Sequence, residues 1–342
     1  MKIAPPSLVA TRNERMDFFK GVLILGVIWG HTIQNFCVGS IDFVSPYWNV
    51  QTFDMPMFMI ISGFFLRSSL EKKTFIEILK DKATTLLLPA LIWGVVVIGR
   101  AQSLDSFSAL YFLWVVLFSS LVVATVAKTI KSILWQLAVF ALITVVLNFT
   151  PVWLWNASYL FPFFCLGYFV NALGVNASKW FRYGSIWLFL FALMLCFWKK
   201  DYTVWATKPW LTSFELKNIL IVLYRYVIGF AGCGAFVVLF NILYTYYCRR
   251  VTPLFRFIVK CGKETLAIYI LQDIILFKVV RNIVLILTDK LGYNPFVIYA
   301  NVLDYVLAPV FAFVITWIIM WGVNLIKGFK YTKYAFGGKF LK

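Results

Sequence analysis

The sequence predicts an all-α, polytopic integral membrane bundle of about ten transmembrane helices, with both termini in the cytoplasm. The first observation is composition. Of the residues, 62% are hydrophobic and only 13% are charged, and the mean hydropathy is +0.85, which leaves too little polar surface for a soluble domain. The second is that apolar runs of about 20 residues recur, the length that crosses a bilayer as a helix. The runs lack the alternation of barrel strands, so we expect helices.

Ten spans account for almost the whole chain. The eighth is longer than one straight crossing requires, so we expect it to tilt or to extend beyond the bilayer. No internal repeat or soluble domain is evident, so residues 1–342 form a single membrane domain with a short cytoplasmic segment at 1–17 and a basic tail at 327–342. The predicted spans lie near residues 18–38, 53–70, 84–100, 109–127, 133–149, 158–173, 183–198, 218–247, 264–288 and 296–326.

The third observation is the distribution of the 32 lysines and arginines. With the N-terminus inside and the spans alternating, most of these cations fall in cytoplasmic segments, which is the positive-inside pattern. The net charge of +18 therefore sets topology and places cations near anionic lipid headgroups. The same face would suit an anionic cytoplasmic ligand. Because the charges are dispersed among membrane loops, we do not expect a nucleic-acid partner.

The first span carries a polar stripe. On an ideal helix, Lys20 lies about 20° around the axis from His31 and roughly 16 Å along it. Asp17 lies about 40° to the other side of His31, and Asn35 continues the stripe outward. Ionisable groups within spans are costly and usually functional, so we expect this face to point into the protein.

His31 is the only histidine in the chain. One interpretation is a structural, hydrogen-bonded imidazole. The other is a general base, since a histidine with a neighbouring carboxylate suits proton transfer near neutral pH. Asp54, at the outer end of the second span, is the candidate partner, because a short loop makes the first two spans antiparallel neighbours. Asp54 could instead be an interfacial carboxylate that faces water.

Other charged residues lie within the later spans. Asp273 could pair structurally with Lys278 or Arg281. Arg225, in the eighth span, could instead bind an anionic substrate.

Several segments together resemble the acyltransferase 3 family, integral membrane enzymes that O-acylate surface glycans and related molecules. The first span resembles the family pattern of a basic residue, ten intervening residues and a histidine, here Lys20 and His31. Each similarity is weak alone, but their joint order and spacing are specific. The quoted segments are RNERMDFFKGVLILGVIWGHTI (12–33), FDMPMFMIISGFFL (53–66), LKDKATTLLLP (79–89), YFLWVVLF (111–118), LFPFFCLGYF (160–169) and CGKETLAIYILQ (261–272).

The chain departs from the family pattern at three places. A basic pair that commonly precedes the third span is here Lys82 followed by Thr85, and Lys80 could compensate. Asp54 stands where many relatives have histidine, and Gln272 ends a motif that often finishes in histidine. These departures concern acceptor chemistry and donor contacts more than the reaction class.

The resemblance implies an acyl-CoA donor, most simply acetyl-CoA, and an acceptor hydroxyl on a glycan or lipid-linked sugar at a microbial inner membrane. Lys20, Lys80 and Lys82 would hold the CoA phosphates. His31 would act as general base, with Asp54 or Asp17 orienting the imidazole. The residues expected at the acceptor are Asn35, Arg225 and Gln272, and no metal is implied.

Two other functions stay open at this point. Ten spans with buried charges would also suit a secondary transporter or glycan exporter, and the chain could be a catalytically inactive scaffold. Consumption of acyl-CoA separates the enzyme from both. Direct transfer or an acyl-enzyme, the acyl group and the oligomeric state are equally open from sequence.

Overall fold

The computed structural model describes a helical protein, and no strand occurs in the described residues. These are residues 14–37, 47–98, 110–149, 155–174, 183–199, 202, 215–248, 252–298, 306–326 and 332–337. The helices are α1 (Glu14–Phe36), α2 (Tyr47–Lys72), α3 (Phe75–Lys82), α4 (Leu88–Ile98), α5 (Tyr111–Thr129), α6 (Ile133–Leu147), α7 (Trp155–Ala172), α8 (Gly184–Cys196), α9 (Leu216–Cys248), α10 (Pro253–Lys263), α11 (Thr265–Ile274), α12 (Arg281–Leu291), α13 (Pro295–Ile298), α14 (Ala308–Ile326) and α15 (Thr332–Ala335). Two π-helical segments, Ala83–Leu87 and Ile275–Val280, connect α3 to α4 and α11 to α12.

Every predicted span coincides with at least one helix. Within the described residues, four helices are long and apolar enough to cross a bilayer by themselves, namely Glu14–Phe36, Tyr111–Thr129, Leu216–Cys248 and Ala308–Leu325. At 33 residues, α9 is about 50 Å long, which agrees with the expectation that the eighth span exceeds a straight crossing. The count of ten and the orientation stay predictions. Residues 1–13, 99–109, 299–305 and 338–342, which carry parts of the predicted spans and termini, lie outside the described residues.

The outer surface of the bundle is apolar. Large side chains such as Leu134 (74% exposed), Trp135 (66%) and Phe189 (69%) project from α6 and α8 without protein neighbours to cover them. A continuous apolar exterior of this kind is typical of a surface that faces lipid.

Helices α2 and α7 form one of the closest contacts in the bundle. A Cβ atom on Gly63 would collide with the carbonyl oxygen of Phe164, and one on Gly167 would collide with the carbonyl oxygen of Ile60. Small residues at a membrane helix interface let the backbones approach, and dispersion contacts then replace the hydrophobic effect as the source of stability. The Asn171 side chain adds a hydrogen bond of 2.7 Å to the carbonyl oxygen of Phe64.

Helices α1 and α10 repeat this arrangement. A Cβ on Gly21 would collide with the carbonyl oxygen of Ile258, and one on Gly262 with that of Asp17. Thr252 caps the start of α10, because its hydroxyl accepts a hydrogen bond from the Phe255 amide (3.2 Å). Pro253, the first residue of the helix, is favourable at that position. The glycine pair therefore holds α10 against the start of the polar stripe.

Candidate active site

The polar stripe of α1 begins with an ion pair. Lys20 Nζ lies 2.8 Å from Asp17 Oδ1, and their side chains are 22% and 3% exposed. Residues three apart share a helix face, which is why the sequence already placed the two together. The backbone of Asp17 packs against Gly262, so α10 fixes this end of the stripe.

His31 lies near the other end of the stripe and is half-buried. Its ring meets Phe277 edge-on, with the centroids 5.1 Å apart. Nδ1 is buried, and no hydrogen-bond partner for it exists in the described part of the chain. A neutral imidazole has one donor and one acceptor nitrogen, so this atom retains capacity for a substrate group. Phe277 belongs to the second π-helical segment, a conformation that frequently occurs at functional sites.

Asn35 extends the stripe by one turn. Its Nδ2 donates a hydrogen bond of 2.7 Å to the carbonyl oxygen of His31. Its Oδ1 is buried and is not hydrogen-bonded to any described residue. Beyond it, Asn294 donates to the Phe36 carbonyl (2.9 Å), and Phe296 packs on Phe36 at 4.7 Å, which closes the end of α1.

Asp54 lies on a different side of α1 from His31. The carboxylate is buried and accepts a hydrogen bond of 2.6 Å from the Met55 amide. Asp54 lines an open groove of about 280 Å³ whose α1 wall includes Gly26 and Trp29. Trp29 is two residues before His31 and therefore about 200° away around the helix. The structure thus joins Asp17 to Lys20, and it places Asp54 at a groove on the opposite face.

Arg225 is buried in an aromatic cluster. Its Nε donates a hydrogen bond of 2.7 Å to the carbonyl oxygen of Tyr202, and it interacts electrostatically with Tyr159 and Tyr226. The Tyr159 hydroxyl donates to the carbonyl oxygen of Thr52 at 3.0 Å, two residues before Asp54. Arg225 and Asp54 therefore border the same tyrosine, on α7, rather than the stripe of α1.

Gln272 is buried on α11. Its Nε2 makes a long hydrogen bond of 3.2 Å to the Tyr269 carbonyl, and its Oε1 is buried without a hydrogen-bond partner among the described residues. The neighbouring Asp273 is also buried and interacts electrostatically with Lys278, one of the two cations expected to pair with it.

Sequence reasoning missed two aromatic residues near these polar groups. Phe277 touches His31, and Tyr269 packs on Phe112 at 5.9 Å. Phenylalanine and tyrosine are frequent in this chain, so neither residue type indicates a functional position in the sequence. Only the packing of the second π-helical segment against α1, and of α11 against α5, identifies them.

Lys80 and Lys82 occupy the last turn of α3, where cations interact favourably with the helix dipole. Lys80 is exposed and Lys82 is half-buried. Helix α3 is anchored at its start by a capping box between Thr74 and Glu77. The hydrogen bonds from Thr74 to the Glu77 carboxylate hold the pKa of Glu77 below its usual value.

Cys261 lies on α10 next to Gly262 and is fully buried. Burial raises the pKa of its thiol to about 12, so the sulfur stays protonated near neutral pH. Because the thiolate is the nucleophilic form, Cys261 is poorly suited to carry an acyl group.

Comparison with known proteins identifies the family of the chain. A family model described as an acyltransferase domain, Acyl_transf_3, matches residues 13–321. Over 293 residues, the chain is 29% identical to Nodulation protein NolL of Sinorhizobium fredii, which covers 76% of this chain and 77% of that protein. Over 296 residues, it is 26% identical to Nodulation protein NolL of Mesorhizobium japonicum, with 78% and 77% covered. No solved structure matches. The match over nearly the whole chain confirms the resemblance, and the protein is a membrane acyltransferase that belongs to the acyltransferase 3 family.

Proposed function

We propose that this enzyme moves an acetyl group from cytoplasmic acetyl-CoA to a hydroxyl of a cell-surface or exopolysaccharide sugar, as a multi-pass protein of a microbial inner membrane. The observation that carries the proposal is the stripe of α1. It presents a cation at one end and, at the other, an imidazole whose buried Nδ1 has no hydrogen-bond partner among the described residues. The step of eleven residues from Lys20 to His31 corresponds to roughly 16 Å along the helix, a distance that suits the extended pantetheine arm of CoA.

The donor's phosphates are assigned to the basic end of the stripe. Lys20 has three N–H donors, so it can keep its ion pair with Asp17 and still bind a phosphate oxygen. Lys80 and Lys82 add cations from the end of α3. In this arrangement Asp17 orients Lys20, and the thioester reaches the level of His31.

His31 acts as general base in the transfer step. The sugar hydroxyl oxygen bonds to the thioester carbonyl carbon while the imidazole takes the hydroxyl proton. The tetrahedral species then collapses, the C–S bond breaks, and the imidazolium returns the proton to the CoA sulfur. Direct transfer is favoured over an acyl-enzyme at Cys261, because the pKa of that buried thiol is raised to about 12.

The acceptor is assigned to buried polar groups that have no hydrogen-bond partner in the part of the chain that the structure describes. Buried polar atoms are normally hydrogen-bonded, so an unpartnered oxygen in a site is a place for a ligand donor. Asn35 Oδ1 and Gln272 Oε1 are such atoms, and both can accept from sugar hydroxyls. Arg225 and Asp54, which border Tyr159 and lie away from the stripe, are assigned to parts of the acceptor glycan that are remote from the reacting hydroxyl, with Asp54 acting on substrate orientation.

The test is a reconstitution in liposomes with radiolabelled acetyl-CoA and a crude lipid-linked glycan fraction. We expect release of CoA together with label in the glycan. Export of glycan without any consumption of acyl-CoA would contradict the proposal and favour a transporter.

A further inference from the structure

Residues 332–337, here named the C-terminal hook, pack into the bundle, although the sequence suggests only a basic tail. The Trp93 indole Nε1, on α4, donates a hydrogen bond of 2.8 Å to the carbonyl oxygen of Ala335. The ring of Phe336 lies 5.3 Å from the Trp93 ring, and Phe336 is 5% exposed. A buried aromatic ring and an indole hydrogen bond fix the hook to α4.

Gly337 ends the described part of the hook with a φ of 79°. A Cβ at this position would lie 2.9 Å from the Thr85 carbonyl oxygen and 2.9 Å from Leu266 Cδ2. The left-handed backbone and the close approach both require glycine. One residue therefore touches two segments that are far apart in the sequence.

Each of these two segments directly follows or nearly follows a lysine. Thr85 belongs to the first π-helical segment, three residues after the half-buried Lys82. Leu266 lies in the first turn of α11, three residues after the exposed Lys263. The hook thus contacts two segments that each have a lysine close before their start.

We infer that the C-terminal hook positions the lysines that bind the anionic end of the donor. It does so by holding the first π-helical segment, which follows Lys82, against the start of α11. This inference rests on the proposed function, since it takes acyl-CoA as the ligand. Attraction between lysine and phosphate falls with their separation, so the affinity for CoA depends on how the segments are held. Phe336 and Gly337 act through the lysines and do not touch the reacting atoms.

The test uses full-length protein in liposomes and measures the dissociation constant of CoA together with KM and kcat for acetyl-CoA. The variants are Phe336→Ala, Phe336→Leu and Trp93→Phe, and the matched control is Phe197→Ala, which removes a 60% exposed ring at the end of α8. For Phe336→Ala we expect both the dissociation constant and KM to rise about tenfold, with kcat changed less than about twofold. Phe336→Leu should restore most of the affinity, and Phe197→Ala should match wild type.

Thermal unfolding of each variant in detergent verifies that it is folded. Trp93→Phe removes the hydrogen bond and keeps a smaller aromatic ring, so it tests the hook even if Phe336→Ala folds poorly, and we expect a rise of about threefold in KM. If wild type binds CoA, and Phe336→Ala and Trp93→Phe bind it with the same dissociation constant, the inference is overturned and the proposed function is not. A wild-type protein that does not bind CoA overturns the proposed donor, and the inference with it.

Discussion

Asp17 and Lys20 form an ion pair of 2.8 Å at the opposite end of α1 from His31, and the carboxylate of the pair is buried. The Asp17 backbone carbonyl lies in tight contact with Gly262, so α10 packs directly against α1 at this residue. A buried charge is costly without its partner. Lys20, which is proposed to bind the donor, therefore also stabilises the folded state through Asp17.

Removing the cation alone should destabilise the protein. We expect Lys20→Met to lower the free energy of unfolding by about 3 kcal/mol at most, because it leaves Asp17 buried without this counter-ion. The double variant Asp17→Asn/Lys20→Met should recover most of the thermal stability in detergent, while its KM for acetyl-CoA stays at least about tenfold above wild type. Lys290→Met, at an exposed lysine on α12, is the control. A double variant with wild-type KM would show that Lys20 serves the fold only.

The glycine contact between α1 and α10 should not tolerate a methyl group. Gly262→Ala pushes a Cβ into the Asp17 carbonyl oxygen, and we expect a loss of about 1–3 kcal/mol or failure to fold. Gly322→Ala on α14 is the matched control, because nothing lies within 4 Å of a Cβ there. The yield of monodisperse protein and the unfolding temperature report the effect. Equal behaviour of the two variants would contradict the packing described here.

The amide of Asn35 is predicted to serve the acceptor more than the donor. Asn35→Ala removes the unpartnered Oδ1 and the hydrogen bond to the His31 carbonyl. We expect kcat/KM for the glycan to fall about tenfold, with the affinity for CoA unchanged within about twofold. If instead CoA binding weakens as much as glycan transfer, Asn35 does not belong to the acceptor side.

The capping box of α3 gives a prediction for pH. The pKa of Glu77 is lowered by its hydrogen bonds with Thr74, so the ionised carboxylate is the form that stabilises the folded helix. That stabilisation is fully present above the unfolded pKa of Glu77 and is lost as pH falls through the lowered folded pKa. Hydrogen exchange of the first α3 amides, corrected for intrinsic rates, should therefore lose protection only in this acidic window. Glu77→Gln should abolish the dependence, and a persisting transition would assign it to another group.

The stripe of α1 could be predicted from the sequence because its geometry is local. Helix periodicity alone puts Asp17, Lys20 and His31 on one face. The position of Asp54 could not be predicted in the same way, because it depends on how α2 packs on α1 and α9. Antiparallel neighbours can meet on any face, and the contact between Gly21 and Ile258 of α10 occupies part of α1.

The two π-helical segments and the C-terminal hook were equally beyond sequence reasoning. A π turn changes hydrogen-bond register without changing composition, so the run from Ile275 to Val280 gives the same pattern as an α-helix. The hook follows a basic stretch that is typical of a solvated tail. Its docking depends on Trp93, 242 residues away from Ala335.

The proposed role of His31, taking the proton of the acceptor hydroxyl, is tested most directly by comparing wild type with His31→Gln. Both proteins are placed in liposomes that contain radiolabelled acetyl-CoA and the glycan fraction. Glutamine keeps hydrogen-bonding groups but cannot accept a proton near neutral pH. We predict that His31→Gln folds and binds CoA with wild-type affinity but transfers label at least about 100-fold more slowly. Transfer at the wild-type rate by a folded His31→Gln protein would contradict the role of His31 as general base.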